Sequence, residues 1–327
     1  MDVARQTDDE QAALWRGRSG QAWVELQAVL DQMFKPFEAL LVEAVSAGYG
    51  TRVLDIGCGT GSTTLAVARL LKHFPVKRMP VYVAKMRPDK EREPGSDSIG
   101  TEKAPGASGG CVGIDISDPM IDVARVRAER EGTPASFIRA DAQTHAFEAA
   151  SFDMIISRFG VMFFDDPVRA FANLRRAATD DARLRVIAWR SAAENPFMTT
   201  AERAAAPLLP NIPARRPDMP GQFAFADQGR VYRILEESGW TEIDIRPIDV
   251  ACILPEKELV RYLTRLGPLS GVLHEADDET RARVIDTVRP AFDPYVHGAE
   301  VRFTAACWMV SARTPSVSAA PKEAALT

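Results

Sequence analysis

Residues 52–61 read Arg-Val-Leu-Asp-Ile-Gly-Cys-Gly-Thr-Gly, and this stretch decides the fold of the chain. A short apolar run, an acid and three alternating glycines are typical of a buried strand that enters a helix through a tight loop. The next residues, 62–71, place Leu65, Ala68 and Leu71 on one helix face. We therefore predict a strand–loop–helix unit whose loop amides and positive helix end face an anionic ligand.

The spacing of the glycines argues against a dinucleotide as that ligand. The dinucleotide fingerprint has glycine or alanine at its sixth position, where this chain has Ser62. An acid two residues before the first glycine is a different signature. The pattern Asp55-x-Gly57-x-Gly59-x-Gly61 resembles the first motif of the class I S-adenosylmethionine (SAM) dependent methyltransferases.

Three further segments resemble that family in order and spacing. Each reads as a strand with a polar group at or near its end, and the groups are Asp115, Asp141 and Ser157. Asp115 lies 58 residues after Gly57, which is too far for an ordinary βαβ unit. Residues 73–110 differ in composition and number 38, so that removing them leaves a spacing of 20. The sequence therefore predicts a standard unit that is interrupted by an insertion.

The resemblance spans residues 10–312 and is closest to the UbiE-related group, which includes quinone-ring C-methyltransferases and many small-molecule methyltransferases. A tryptophan–glycine segment at 15–23 also resembles some of its members. Two features depart from the common pattern, namely the insertion at 73–110 and Thr-Asp-Asp at 179–181 in place of the usual Pro-Gly-Gly turn. The resemblance implies SAM as the cofactor and S-adenosylhomocysteine (SAH) as the product.

The resemblance also assigns cofactor-binding residues. It implies that the glycine loop faces the methionyl part of SAM, that Asp115 takes the ribose hydroxyls and that Asp141 reads the adenine edge. Asp55 orients the loop or reaches the methionyl ammonium, and the end of the fourth strand lies beside the transferable methyl. The expected cofactor contacts are Asp55, Gly57, Gly59, Gly61, Asp115, Ile116, Met120, Asp141, Ala142, Ser157 and Arg158.

The acceptor side of the site is less determined. An apolar run at 159–164 is typical either of core packing or of a substrate wall, and Trp15 with Trp23 forms either a lid or ordinary helix packing. The tentative pocket residues are Trp23, Phe159, Phe163 and Trp189. No residue is a clear general base, and the candidates are His274, His297 and Arg158, with surface positions as the alternative for both histidines. No metal site is expected.

The alternation of strand and helix patterns predicts an α/β fold, with a Rossmann-like, seven-stranded, mostly parallel sheet and helices on both faces. The expected parts are an N-terminal helical cap at 1–47, a SAM-binding domain at 48–312 and a disordered tail at 313–327. The insertion at 73–110 is placed at the amino edge of the sheet, and a segment at 194–239 contributes to the pocket. Strands are expected at about 52–56, 111–115, 135–140, 152–157, 184–189, 241–252 and 301–312, with helices at 10–47 and about 227–239 and a helical pair over 256–296.

Bulk properties narrow the range of partners. The chain has 327 residues and a net charge of −5, which argues against a general attraction to nucleic acid. Its four cysteines show no metal-binding spacing and indicate buried thiols in a reducing compartment. No segment is typical of a secretory signal or a membrane span, so we expect a cytoplasmic protein.

The sequence thus favours a SAM-dependent methyltransferase that acts by in-line displacement on a small, partly apolar molecule. One alternative is a C-methyltransferase of quinone precursors. The other is a module that binds SAM or SAH without turnover. The acceptor and the oligomeric state stay open.

Overall fold

The computed structural model describes residues 12–48, 50–73, 110–209 and 219–316. The predicted insertion between 74 and 109 lies outside the described residues, as do residues 210–218 and the tail from residue 317.

One mixed sheet forms the centre of the molecule. Its strands lie in the order β3-β2-β1-β4-β5-β8-β6, and a two-residue strand, β7, pairs with β8. Strands β1 to β5 are mutually parallel, whereas β8 runs antiparallel to both of its main neighbours. The strands are β1 Arg52–Ile56, β2 Gly110–Asp115, β3 Ala135–Arg139, β4 Phe152–Arg158, β5 Ala178–Trp189, β6 Thr241–Pro255, β7 Val296–His297 and β8 Glu300–Arg313. The predicted mostly parallel Rossmann-like sheet is confirmed.

Helices cover the sheet and extend beyond its carboxyl edge. α4 and α5 pack together against β4 and β2, and α7 and α9 pack together against β5 and β6. The α-helices are α1 at 12–16, α2 Arg18–Glu25, α3 Gln27–Met33, α4 Lys35–Gly48, α5 Ser62–His73, α6 Asp118–Glu131, α7 Pro167–Ala177, α8 Pro196–Ala205, α9 Gln228–Glu237, α10 Leu259–Arg265, α11 Pro268–Glu275 and α12 Asp278–Val288, and the 3₁₀ turns are Val161–Phe163, Glu256–Glu258 and Arg289–Tyr295.

The central parallel strands β1, β2 and β4 are largely buried on both faces, which is why they read as apolar runs in the sequence. β2 is buried along its whole length, and β1 is buried after its first residue. Phe37 of α4, Phe171 of α7 and Phe292 beside β7 are large side chains buried in one core. The chain reverses its strand order around β1, which lies between β2 and β4. That reversal opens a crevice at the carboxyl edge, where ligands bind in open α/β sheets.

Several boundaries differ from the sequence-based expectations. The segment 256–296 holds three α-helices rather than two, and 194–239 contains an additional helix, α8, whose start at Pro196 follows from the preference of proline for the first turn. Residues 179–181 belong to the start of β5, where the register with β4 shifts. β8 continues through Arg313, and Thr314 is buried and bonded to β5, so the tail does not begin at 313.

Two described elements flank the predicted insertion. α5 ends at His73, and β2 begins at Gly110, whose amide donates to Thr51 O at 2.8 Å. Thr51 directly precedes β1, so both described ends lie toward the amino edge, across the sheet from the crevice.

Candidate functional site

A cavity of about 720 Å³ opens at the carboxyl edge of the sheet. Its floor comes from the glycine loop after β1 and from the ends of β2 and β4. Its walls come from the N-terminal helices α1 to α3 on one side and from α8, α10 and α11 on the other. A volume of this size is typical of sites that enclose a drug-sized ligand.

The glycine loop is held against the exit of β4 by backbone contact. Gly57 has a positive φ of 64°, and a Cβ built on it lies 2.6 Å from Gly160 Cα. A Cβ on Gly160 in turn lies 2.5 Å from Ile56 O. Ser157 completes this junction, because its Oγ donates to Ile56 O at 2.8 Å and accepts from Gly160 N at 3.2 Å. Ser157 is therefore a buried residue that links the end of β1 to the turn after β4. Gly160 is a site residue that the sequence motifs did not indicate.

The amides of the glycine loop are mostly occupied by the protein itself. Gly57 N and Cys58 N both donate to Ile114 O, at 2.9 and 3.1 Å, and Gly61 N donates to Cys58 O at 3.0 Å. Gly59 N donates to Asp115 Oδ2 at 2.9 Å. The prediction that these amides face an anionic ligand is thus wrong for four of them. The loop is instead tied to the tip of β2.

Asp115 lies at that tip and lines the cavity. Its Oδ2 accepts from Gly59 N and its Oδ1 accepts from Ser117 N, both at 2.9 Å. Burial raises the pKa of Asp115, and the backbone amides of Ser117 and Gly59 oppose that effect. Because each carboxylate oxygen accepts more than one hydrogen bond, both keep capacity for a vicinal diol. Ile116 and Met120 line the cavity beside it.

Asp141 and Ala142 lie next along the same edge and also line the cavity. Gln143 holds the Asp141 carboxylate through its backbone N at 2.8 Å and its Nε2 at 3.2 Å. Asn173 of α7 donates to Ala142 O and His145 O, both at 3.0 Å, which fixes the turn. The acids of the second and third predicted motifs are therefore brought to one side of one cavity.

Asp55 lies beneath the loop and is 1% exposed. It does not line the cavity. Thr64 Oγ1 donates to Asp55 Oδ2 at 2.7 Å and joins the end of β1 to α5. Burial raises the pKa of Asp55 to about 7, against the effects of the Thr64 hydrogen bond and of the Arg158 charge. The geometry supports a role in orienting the loop rather than contact with a ligand. Gly61 has a similar supporting position and contacts Ala124 and Phe137 instead of the cavity.

Arg158 ends β4 and points into the cavity. Its Cζ lies 5.7 Å from the centre of the Phe34 ring, within cation–π range. Its Nη1 is inaccessible to solvent and has no hydrogen-bond partner. Burial lowers the pKa of Arg158, while the charges of Asp31, Asp55 and Glu38 raise it. Nevertheless, within the described part of the chain it forms no ion pair.

Aromatic side chains form the wall beyond the loop. Phe159 and Trp189 stack with ring centres 4.6 Å apart, and Phe34 meets Phe159 edge-on at 5.4 Å. Trp15 contacts Phe163 edge-on at 5.0 Å. All of these side chains and Trp23 line the cavity, so the four tentative pocket residues are brought together. Phe159 adopts a φ of +67°, a conformation uncommon outside glycine and typical of functional turns.

A second group of lining residues was not found from the sequence. It comes from α8, α10 and the turn before β7, and it consists of Phe197, Met198, Tyr262, Leu263 and Phe292. The Phe197 ring is fixed by a stack on Phe303 of β8 at 3.9 Å. Helical spacing alone does not distinguish such residues from ordinary core, because they face the same interior.

The N-terminal helices are linked to the glycine loop by a charged bridge. Arg127 of α6 donates to Thr60 O and to Asp31 Oδ2, both at 2.8 Å. Asp31 of α3 also accepts from Gln27, and both residues line the cavity. This bridge fixes the cap over the loop, and no sequence motif indicated it.

Neither predicted histidine base reaches the cavity. His274 and His297 are exposed on α11 and β7, away from the lining residues. The candidate role of both is therefore corrected. α11 contributes residues to the cavity wall and β7 contributes none, and both histidine side chains are exposed. Among the described lining residues there is no histidine and no lysine.

The described ranges include all the cysteines of the chain. All four cysteines are free and buried. No group of three or more histidine, cysteine or acidic side chains there is arranged to hold a metal ion. In the same part of the chain, no helix combines the length and apolarity needed to cross a bilayer.

Comparisons with known proteins identify relatives of this chain. Residues 96–186 match the model of a family described as a methyltransferase domain, which covers β2 to most of β5. Aklanonic acid methyltransferase of Streptomyces sp. strain C5 is 31% identical over 143 residues, 43% of this chain and 49% of that protein. Demethylmenaquinone methyltransferase of Thermus thermophilus is 37% identical over 86 residues, 26% of this chain and 38% of that protein.

This chain thus spans about half the length, or less, of these two curated relatives. Among solved structures, the YcgJ protein of Bacillus subtilis aligns with a TM-score of 0.49 and 16% identity, over 85% of this chain and 98% of that one. Residues 96–186 match a methyltransferase domain, and the predicted resemblance of the chain to methyltransferases is confirmed.

Proposed function

We propose that this protein transfers a methyl group from SAM to a small, partly apolar acceptor that binds in the aromatic part of the cavity. The observation that carries the proposal is the continuity of one cavity. It joins the glycine loop and two fixed carboxylates to an aromatic compartment at the ends of β4 and β5.

The residues present fit the cofactor. Asp115 offers two oriented carboxylate oxygens for a ribose, with Ile116 and Met120 as apolar contacts for a base. Asp141 is held by Gln143 so that it faces the same space. Arg158 contributes a buried nitrogen that lacks a partner within the protein. When bound, SAM supplies a methyl group activated by its sulfonium.

The contribution of the chain to the reaction is positioning and the exclusion of water. The Phe159–Trp189 stack and Phe34 form a rigid wall at the end of β4. Well-oriented reactants gain as much as roughly 7–11 kcal/mol relative to the same reaction between free molecules. The lining has no histidine or lysine among the described residues, and we assign no general base to its carboxylates.

A quinone precursor is the second candidate acceptor. Aromatic faces at the ends of β4 and β5 suit a flat ring, and relatives of this chain are named demethylmenaquinone methyltransferase. A third possibility is a module that binds SAM or SAH without turnover. A cytoplasmic location, and partners that exclude nucleic acid, stay predictions from the sequence.

A transfer assay separates these candidates. Purified protein is incubated with methyl-labelled SAM and a panel of phenols, carboxylic acids, amines and quinols, and labelled products are separated. We expect transfer to a planar apolar acceptor, reduced at least tenfold by Trp189→Ala. Transfer to quinols alone would establish the second candidate, and SAH binding without any transfer would support the module. Transfer that is insensitive to the aromatic wall would contradict the proposal.

A further inference from the structure

Resting on the proposed function, we infer that Arg158 is the carboxylate receptor of this cavity. The sequence predicts that role for the amides of the glycine loop. Gly57, Cys58, Gly59 and Gly61 each donate their amide to a protein acceptor. These four amides are therefore engaged, and a donor outside this set serves an anion at the methionyl end of a bound cofactor.

Arg158 satisfies the requirements for such a donor. It lines the cavity at the end of β4, next to the junction where Gly57 and Gly160 touch. Its Nη1 is shielded from solvent and has no hydrogen-bond partner. A guanidinium stays charged throughout the physiological range, and a planar pair of N–H groups matches a carboxylate. A buried polar group without a partner is costly, which indicates that a ligand completes it.

The charges around Arg158 favour an amino acid over a simple anion. Asp31 lines the same cavity, and its carboxylate is one of the charges that act on Arg158. A cation and an anion facing one space complement a group that carries both signs. The methionyl end of SAM is such a group, with its carboxylate directed to Arg158 and its ammonium to the acidic side. An acidic acceptor offers the same carboxylate chemistry, and the experiment distinguishes the two sources.

The test compares SAH with decarboxylated SAH, S-adenosyl-3-thiopropylamine, which keeps the amine and lacks only the carboxylate. Calorimetric titration of the wild-type chain should show SAH binding at least about 30-fold tighter than the analogue. Arg158→Met should remove that preference, with the analogue bound as before, and Arg158→Lys should restore part of it. Arg185→Met is the matched control, because Arg185 is also partly buried on a neighbouring strand but does not line the cavity.

A measurement without ligand separates binding from a structural role. Since Arg158 has no ion-pair partner among the described residues, Arg158→Met should not lower the denaturation midpoint of the ligand-free chain. SAH should then stabilise the variant much less than the wild type. A structural ion pair would give the opposite result, a loss of stability without ligand.

An additional titration identifies the source of the carboxylate. If Arg158→Met leaves SAH binding unchanged but abolishes binding of 2-naphthoate, and not of 2-naphthol, to the SAH-saturated chain, the receptor serves an acidic acceptor. The inference is overturned if the variant binds SAH and naphthoate like the wild type, or if SAH and its decarboxylated analogue weaken equally. Failure of the wild type to bind SAH at all would instead refute the proposed function.

Discussion

Substituting Asp115 by asparagine probes the ribose subsite with almost no change in shape. In the structure, the two carboxylate oxygens each accept one backbone amide, from Gly59 and Ser117, at 2.9 Å. An asparagine side chain presents one oxygen and one NH₂ group, so that one of these amides must face a donor. The remaining oxygen cannot serve both ribose hydroxyls.

The expected loss follows from the hydrogen bonds that change. A hydrogen bond to a charged group contributes roughly 1.5–3 kcal/mol, and two such bonds to the ribose are affected. Hydrogen bonds to water compensate part of that loss. We therefore expect SAH binding to weaken by about 2–4 kcal/mol, which corresponds to a Kd about 30- to 1000-fold higher.

Isothermal titration calorimetry with SAH measures this loss, with thermal unfolding as the check on folding. Asp118→Asn is the matched control. Asp118 lies three residues further along the chain and makes only an exposed pair with Arg139, at 3.5 Å, so its variant should bind within about twofold of the wild type. If a folded Asp115→Asn variant binds SAH within threefold of the wild type, the assignment of this carboxylate to the ribose is refuted.

Four further predictions test other parts of the account. Because burial raises the pKa of Asp55 to about 7, ionisation of Asp55 destabilises the folded chain as pH rises from about 4 to 7. The stability of Asp55→Asn relative to wild type, measured by urea unfolding, should therefore increase over that window by up to about 1.4 kcal/mol per pH unit. A stability difference that does not change with pH would contradict the burial argument. Gly160→Ala should destabilise the fold by roughly 2 kcal/mol or more in the same assay, because its Cβ would lie 2.5 Å from a carbonyl oxygen; a change within 0.5 kcal/mol, in the range usual for surface substitutions, would exclude the tight junction. His274→Ala and His297→Ala should each leave the rate of methyl transfer within about twofold of the wild-type rate. A tenfold loss in either variant would indicate that the histidine takes part in the reaction. Replacing residues 74–109 by a short glycine–serine linker should leave the SAH affinity within threefold, whereas loss of binding in a folded variant would place the insertion at the site.

Part of the fold was predictable because strands β1, β2 and β4 are short, largely buried and separated by helical patterns. β1 and the start of α5 lie where the sequence placed them. The helices after β5 were harder to predict, since α8 and α10 to α12 are short. Their packing is decided by tertiary contacts around Phe197 and Phe292.

The site was predictable where local motifs carry it. Asp115 and Asp141 follow strands whose carboxyl ends meet at one edge, so the topology brings them to the same cavity. The use of the loop amides was not predictable, because it depends on Ile114 O, which approaches from a strand more than fifty residues away. The lack of a hydrogen-bond partner for Arg158 Nη1 was likewise not predictable, because it depends on where the fold places the neighbouring acidic side chains.

The exposed positions of His274 and His297 show the limit of reasoning from residue type. His274 lies on α11, which contributes to the cavity wall, and His297 lies on β7, which does not, and both side chains are exposed. Which face of a short helix or a two-residue strand is buried depends on neighbours from distant parts of the chain. Sequence alone gives no such information for these segments.

The central claim is that the cavity at the carboxyl edge holds an adenosyl amino acid. Calorimetric titration of the unmodified chain with SAH, and separately with NAD, measures this directly. We expect one SAH per chain with a Kd below about 100 μM, corresponding to more than about 5.5 kcal/mol of binding free energy, and no detectable heat with NAD. Binding of NAD, or no binding of SAH at millimolar concentration, would contradict it.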